Sequence, residues 1–286
     1  MVLESIINPI VAENKRYRLL FIGAIFFVIA LILSLMIFEQ YATMLVVFLT
    51  ALAAVPLMYN IIKLEEEKDT RFDSEKSLLR EHSKALLAFM YLFIGVTIAA
   101  AIIYIVLPGN TVTNVFSAQS QTLQTIRGGV TGMTIAQQFG LFERIFFNNV
   151  KVLIFAVLFS FVFGAGAIFV LTWNATVIGA AIGNFVRGNF ATYANLVGLD
   201  KIGKYFQVIS IGLFKYSIHG IPEILAYFVA ALAGGIISVA IIKHDFGTSK
   251  FEHILLDSAD LLMISIGILF LAAMLEVFVT PMVFPA

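Results

Sequence analysis

Several stretches of this chain are long, apolar and free of charge, and nothing else in it limits the fold as strongly. Leu19–Phe38, Ala42–Ile62 and Ala85–Leu107 contain no Asp, Glu, Lys or Arg. Val152–Trp173 follows Lys151 directly, and Ile224–Ile242 runs uncharged as far as Lys243. Each reaches the ~18 apolar residues that a helix needs to cross a hydrocarbon core ~30 Å thick. In lipid only a helix or a closed barrel satisfies its own backbone polar groups, and runs of this length select the helix. Composition points the same way: 60% of residues are hydrophobic and 13% charged, where soluble domains hold about 45–50% apolar residues. The chain therefore reads as an all-α integral membrane protein. The first run is not a cleavable signal, because no small-x-small site follows it and the next span begins just beyond Tyr41.

Charge sets orientation. Lys15, Arg16 and Arg18 precede the first span, whereas only Glu39-Gln40-Tyr41 joins it to the second. Positive residues stay in the cytoplasm, so the N-terminus is expected inside the cell membrane. Residues 1–63 then form a two-helix hairpin. Residues 64–84, where Lys and Arg alternate with Asp and Glu, form a cytoplasmic charged linker that extends the flanking helices. Residues 85–286 form a five-helix core. The third span ends at Pro108-Gly109-Asn110, and a polar external segment follows from Thr111 to about Glu143. At its end Ile135, Phe139, Phe142, Ile145 and Phe146 fall at helical spacing, which predicts an amphipathic elbow in the outer interface.

The C-terminal half is less regular and predicts short or broken helices. Ala175–Val186, between Asn174 and Arg187, would be only ~18 Å long as a helix, and Tyr205–Phe214 is a second short piece. Counting the first as spanning gives about seven helices and an external C-terminus. Treating both as re-entrant gives six. The last run, Leu261–Phe284, is interrupted once, by Glu276.

Ionisable groups at membrane depth are functional candidates by default. Pro222 fits the first turn of a helix and Glu223 suits its positive end, with Gly220 allowing a sharp bend before it. His219 lies four residues from Glu223, so the two share a face if the helix reaches back that far. In the seven-helix arrangement Asn148, Asn149, His219, Glu223 and Glu276 all map to the outer leaflet as one polar cluster. Glu143, Lys151, Asn174 and Lys215 are further candidates. Gly164, Gly166, Gly179, Gly183, Gly234 and Gly235 mark helix contacts, within one chain or between two copies, because small residues let backbones approach in lipid.

Some chemistry is excluded. Zero cysteines rule out disulfides, Cys-ligated metals and thiol catalysis. A net charge of zero without a basic block argues against nucleic acid. No Gly-rich phosphate loop or nucleophile motif is present, so the sequence implies no cofactor and supports neither an ATPase nor a soluble-type hydrolase.

Phe147–Phe155, Gly164-Ala-Gly166, Trp173-Asn174, His219–Glu223, Gly234-Gly235 and Glu276–Pro281, in this order and spacing, resemble the stage II sporulation protein M family. The similarity runs from about Phe142 to Pro281. It implies a five-helix membrane core, here preceded by an added hairpin. In spore-forming bacteria such proteins help recruit cell-wall hydrolases during engulfment, so the resemblance implies a membrane scaffold with a membrane or extracytoplasmic protein partner. The plainest reading of the polar residues is structural, with Glu276 and His219 hydrogen-bonding between helices; two others stay open. One is a transporter-like or lipid-handling site in which Glu223 and Glu276 bind a cation, proton or head group. The other is an intramembrane metal hydrolase with His219, Glu223 and Glu276 as ligands, a thin set because His82, His244 and His253 all map to the cytoplasmic side.

Overall fold

The computed structural model describes residues 15–69, 75–126, 134–163, 167–242 and 247–284, and these are helical almost throughout. Helix α1 spans Tyr17–Ile37 and α2 Ala42–Asp69, joined by a 3₁₀ turn at Glu39–Tyr41. Helix α3 follows over Glu75–Val106, then two short helices, α4 over Gly109–Val115 and α5 over Ser117–Ile126. Three long helices come next: α6 over Ile135–Phe163, α7 over Ala167–Thr192 and α8 over Gly198–Ile242. Helix α9, Ser249–Met274, runs into a π-helical turn at Leu275–Val279 and ends in α10, Thr280–Val283. Seven helices, α1, α2, α3 and α6 to α9, are long and apolar enough to cross a membrane. The chain is a multi-pass, all-α membrane protein.

The C-terminal helices are longer than the sequence suggests. Trp173 and Asn174 lie in mid-helix, so the short piece from Ala175 belongs to a helix of 26 residues that is long enough to span. Asn174 does not end that helix because its amide donates to the Val170 carbonyl at 2.9 Å, one turn back. Tyr205–Phe214 is likewise no separate segment. Helix α8 has 45 residues, about 67 Å of helix, and continues through Gly220 and Pro222 as one helix rather than starting there. Packing outweighs proline here: Val208 and Gly212 are buried on one side of Pro222, and Ala226 to Ile236 form an unbroken buried run on the other. The amphipathic elbow is the first part of α6, continuous with its spanning portion.

Small residues set the helix spacing. Gly23 of α1 lies against the Leu92 carbonyl of α3, and Gly95 of α3 against the Leu20 carbonyl of α1. Gly179 and Gly183 bring α7 onto Thr97, Ala100 and Tyr104 of α3. Gly234 of α8 faces Val157 of α6, where Ser160 Oγ donates to the Ala231 carbonyl at 2.6 Å. Gly235 is buried beside it, and Gly164 and Gly166 lie outside the described residues. Without a hydrophobic drive between helices in lipid, such close backbone contact and interhelical hydrogen bonds supply the attraction.

Two polar fixtures tie the bundle at the end where α1 turns into α2. Arg187 of α7 donates to the carbonyls of Tyr104 at 3.2 Å and Leu107 at 2.8 Å, satisfying groups that the end of α3 leaves open. Gln119 of α5 is fully buried between two spans. Its Oε1 accepts from Thr43 of α2 at 2.8 Å, and its Nε2 donates to Thr176 of α7 at 3.2 Å. The polar segment after Pro108 is thus folded into the bundle as α4 and α5. At the other end Glu65 and His82 are buried, with His82 Nδ1 2.7 Å from Glu65 Oε2. At these two positions the charged stretch is packed rather than solvated.

Candidate functional site

Helix α8 carries Lys215, His219, Glu223 and Tyr227, each four residues from the next, so one face presents a polar stripe. Tyr227, at the deep end of the stripe, is fully buried; Glu223, His219 and Lys215 are each partly exposed. The Tyr227 hydroxyl donates to Glu223 Oε1 at 2.8 Å. Lys215, nearest the end of the bundle where α1 turns into α2, holds its ammonium 5.4 Å from the centre of the Phe185 ring on α7.

The C-terminal continuation of α9 supplies the facing groups through a local irregularity. Pro281 has no N–H to give the carbonyl four residues back, and the Thr280 N–H bonds to Leu275, five residues back. The Thr280 hydroxyl donates to the same carbonyl at 2.9 Å. The resulting π turn adds a residue to one turn of helix and so shifts every side chain in it around the axis. Glu276 sits in that turn, partly buried and one turn back from Thr280. Thr280 Oγ1 also lies 3.4 Å from His219 Nδ1. With its own hydrogen given to Leu275, that hydroxyl accepts from Nδ1–H, which leaves Nε2 as the acceptor of the ring. Phe278 of the π turn packs on Phe139 and Phe142 of α6, with ring centres 5.7 and 6.4 Å apart.

The other sequence candidates lie elsewhere. Asn148 is exposed on α6 and Asn149 buried, and among the described residues no hydrogen bond joins either to Glu223, Glu276 or His219. Glu143 and Lys151 are exposed on α6, and Asn174 is committed to its own helix. Among the described residues no three His, Asp or Glu side chains come together as a metal ligand set. His219 engages Thr280 rather than completing such a set with the two carboxylates. Tyr227 and Thr280 were not singled out in the sequence. Continuing the His219–Glu223 spacing by one more turn would have found Tyr227, and the Thr280-Pro281 pair is the signal for the π turn.

The arrangement sets two carboxylates, Glu223 and Glu276, at matching levels of neighbouring helices in an apolar bundle, with a tyrosine bonded to one and a histidine and a lysine farther along the stripe. Residues 104–281 match the family model for Stage II sporulation protein M, a span that takes in the whole stripe and the π turn and begins after α1 and α2. No curated protein and no solved structure matches the chain. With the larger part of its length matched, the chain belongs to the Stage II sporulation protein M family.

Proposed function

We propose that this protein acts through a proton- or cation-binding site formed by Glu223 and Glu276. The observation that supports the reading is the matching level of two carboxylates: Thr280 meets His219 at 3.4 Å, and one turn deeper on each helix stand Glu276 and Glu223. Two adjacent negative charges in a weakly polar medium repel strongly, so the pair holds a proton or a cation between them. A purely structural pair would be served as well by amides. The positive cluster before α1, against Glu39 after it, supports a cytoplasmic N-terminus and residues 64–84, and on that orientation the carboxylate site belongs to the outer half of the cell membrane.

Infrared titration of the purified chain in nanodiscs tests the site. A carboxylic-acid carbonyl band should titrate, and Glu223→Gln or Glu276→Gln should remove or shift it. Glu276→Gln should melt no lower than the parent, whereas Glu276→Leu should lose ~1–2 kcal/mol by leaving its neighbours without a partner. A titration identical in the parent and both Gln variants overturns the reading.

A second reading, recruitment of a membrane-protein partner, has its own support. Leu199, Ile202, Phe206, Ile209 and Leu213 repeat at alternating spacings of three and four along α8, and all are exposed. A helix of a partner would pack on such a seam.

A further inference from the structure

From the order of charges along the α8 stripe we infer that the site is selective for the proton, with Lys215 repelling metal cations and His219 passing protons inward. The inference rests on the carboxylate-pair reading above and names its ligand. From the end of the bundle where α1 turns into α2, the stripe presents Lys215, then His219, then Glu223 with Glu276 at its level, and lastly Tyr227. A metal ion moving along it meets an ammonium before it meets a carboxylate. That ammonium is held in place, over the Phe185 ring of α7. A fixed positive charge close to a binding site disfavours entry of a second cation.

A proton needs no such passage as a free ion. His219 receives it at Nε2, the ring nitrogen left as acceptor, while Nδ1–H faces Thr280. The imidazolium then releases the proton from Nε2 to a carboxylate oxygen and returns to its Nδ1–H form, so that one N–H bond breaks and one O–H bond forms. The proton is shared by Glu223 and Glu276, with the Tyr227 hydroxyl donating to Glu223 from the deep side. The charged and titratable groups that share the stripe with Glu223 are Lys215, His219 and Tyr227 of α8, and Tyr227 is bonded to Glu223. Helix α6 faces the π turn with the rings of Phe139 and Phe142.

The size of the barrier follows from the helix. Lys215 and Glu223 are eight residues apart, about 12 Å of rise, and at an effective dielectric of ~20 a unit charge at that distance changes an ion's affinity about tenfold. The test uses the full chain in nanodiscs, with the carboxyl band titrated against pH in the presence and absence of sodium, potassium and calcium chloride. Choline chloride of equal ionic strength serves as the control. In the parent protein the midpoint should not respond to the metal salts. Lys215→Gln should make it respond, with an apparent cation affinity raised about tenfold. His219→Asn should leave the band in place but slow its response to a pH jump.

Equal displacement of the proton by metal ions in the parent and in Lys215→Gln overturns the selectivity and leaves the carboxylate site standing. A pH-jump response unchanged in His219→Asn overturns the relay. If neither Gln variant of the carboxylates alters the band, the site itself is refuted and this inference with it.

Discussion

Replacing Gly179 or Gly183 by alanine should destabilise the protein, against the preference of helices for alanine. A Cβ on Gly179 would stand 2.6 Å from the Ala100 Cβ and 2.8 Å from the Thr97 carbonyl oxygen. On Gly183 it would stand 2.5 Å from the Tyr104 Cβ. Carbon atoms in contact normally lie ~3.5–4.0 Å apart, so α7 must withdraw from α3 by roughly 1 Å. Such a gap forfeits up to about half of each dispersion well along the crossing, and overpacking of this kind costs ~1–3 kcal/mol. The helix propensity gained is at most ~1 kcal/mol. The net loss should be about 1–2 kcal/mol for each variant. The double variant should lose less than the sum, because one withdrawal relieves both obstructions. Gly188 and Gly203 provide the controls: nothing lies within 4 Å of a Cβ there, so alanine should be neutral or stabilising by up to ~1 kcal/mol. Trp173, the single tryptophan, lies on α7 and reports unfolding by its fluorescence during titration with SDS in mixed micelles. Gly179→Ala and Gly183→Ala as stable as the controls would refute the argument.

Arg187→Leu should cost ~1.5–3 kcal/mol, because it strips a charged donor from the Tyr104 and Leu107 carbonyls. Arg187→Lys should recover part of this, and faster hydrogen exchange confined to the last turn of α3 would localise the effect. Orientation can be read by single cysteines on this cysteine-free chain. Thr113→Cys should react with an impermeant maleimide on intact cells and Glu252→Cys only after permeabilisation; the reverse pattern would invert the arrangement.

The first three spans were legible because charges or turn residues bracket each apolar run, as Arg18, Glu39 and Lys84 do. The later ones were not, because the residues that look like interruptions are satisfied locally. Asn174 bonds within its own helix, and Pro222 sits in a helix whose two halves are held by burial. At the site, the pairing of His219 with Glu223 on one face followed from spacing, and the map to one leaflet suggested Glu276. Whether Asn148 or Asn149 turns inward depends on how α6 is rotated, which no local pattern encodes; Asn149 is buried and Asn148 exposed. Tyr227 read as one more aromatic in an apolar run. Gln119 and Arg187 act across long stretches of chain, on Thr43, Thr176 and the end of α3, so their roles exist only in the folded bundle.

The Gln119 latch makes the two parts of the chain unequal in their independence. Buried hydroxyls of the N-terminal hairpin are satisfied within their own helices: Ser34 donates to the Ala30 carbonyl at 2.6 Å and Thr50 to the Val46 carbonyl at 2.7 Å. As synthesis proceeds, α1 and α2 enter the bilayer before α3 and α5 exist, and they can wait there as a solitary pair at no cost in unmade hydrogen bonds at these positions. The remainder has no such freedom. Without Thr43 its Gln119 would lose the partner of its amide oxygen. The hairpin therefore behaves as a lodger that arrives first and the core as the host built around it, so assembly has a direction set by which side can tolerate being alone.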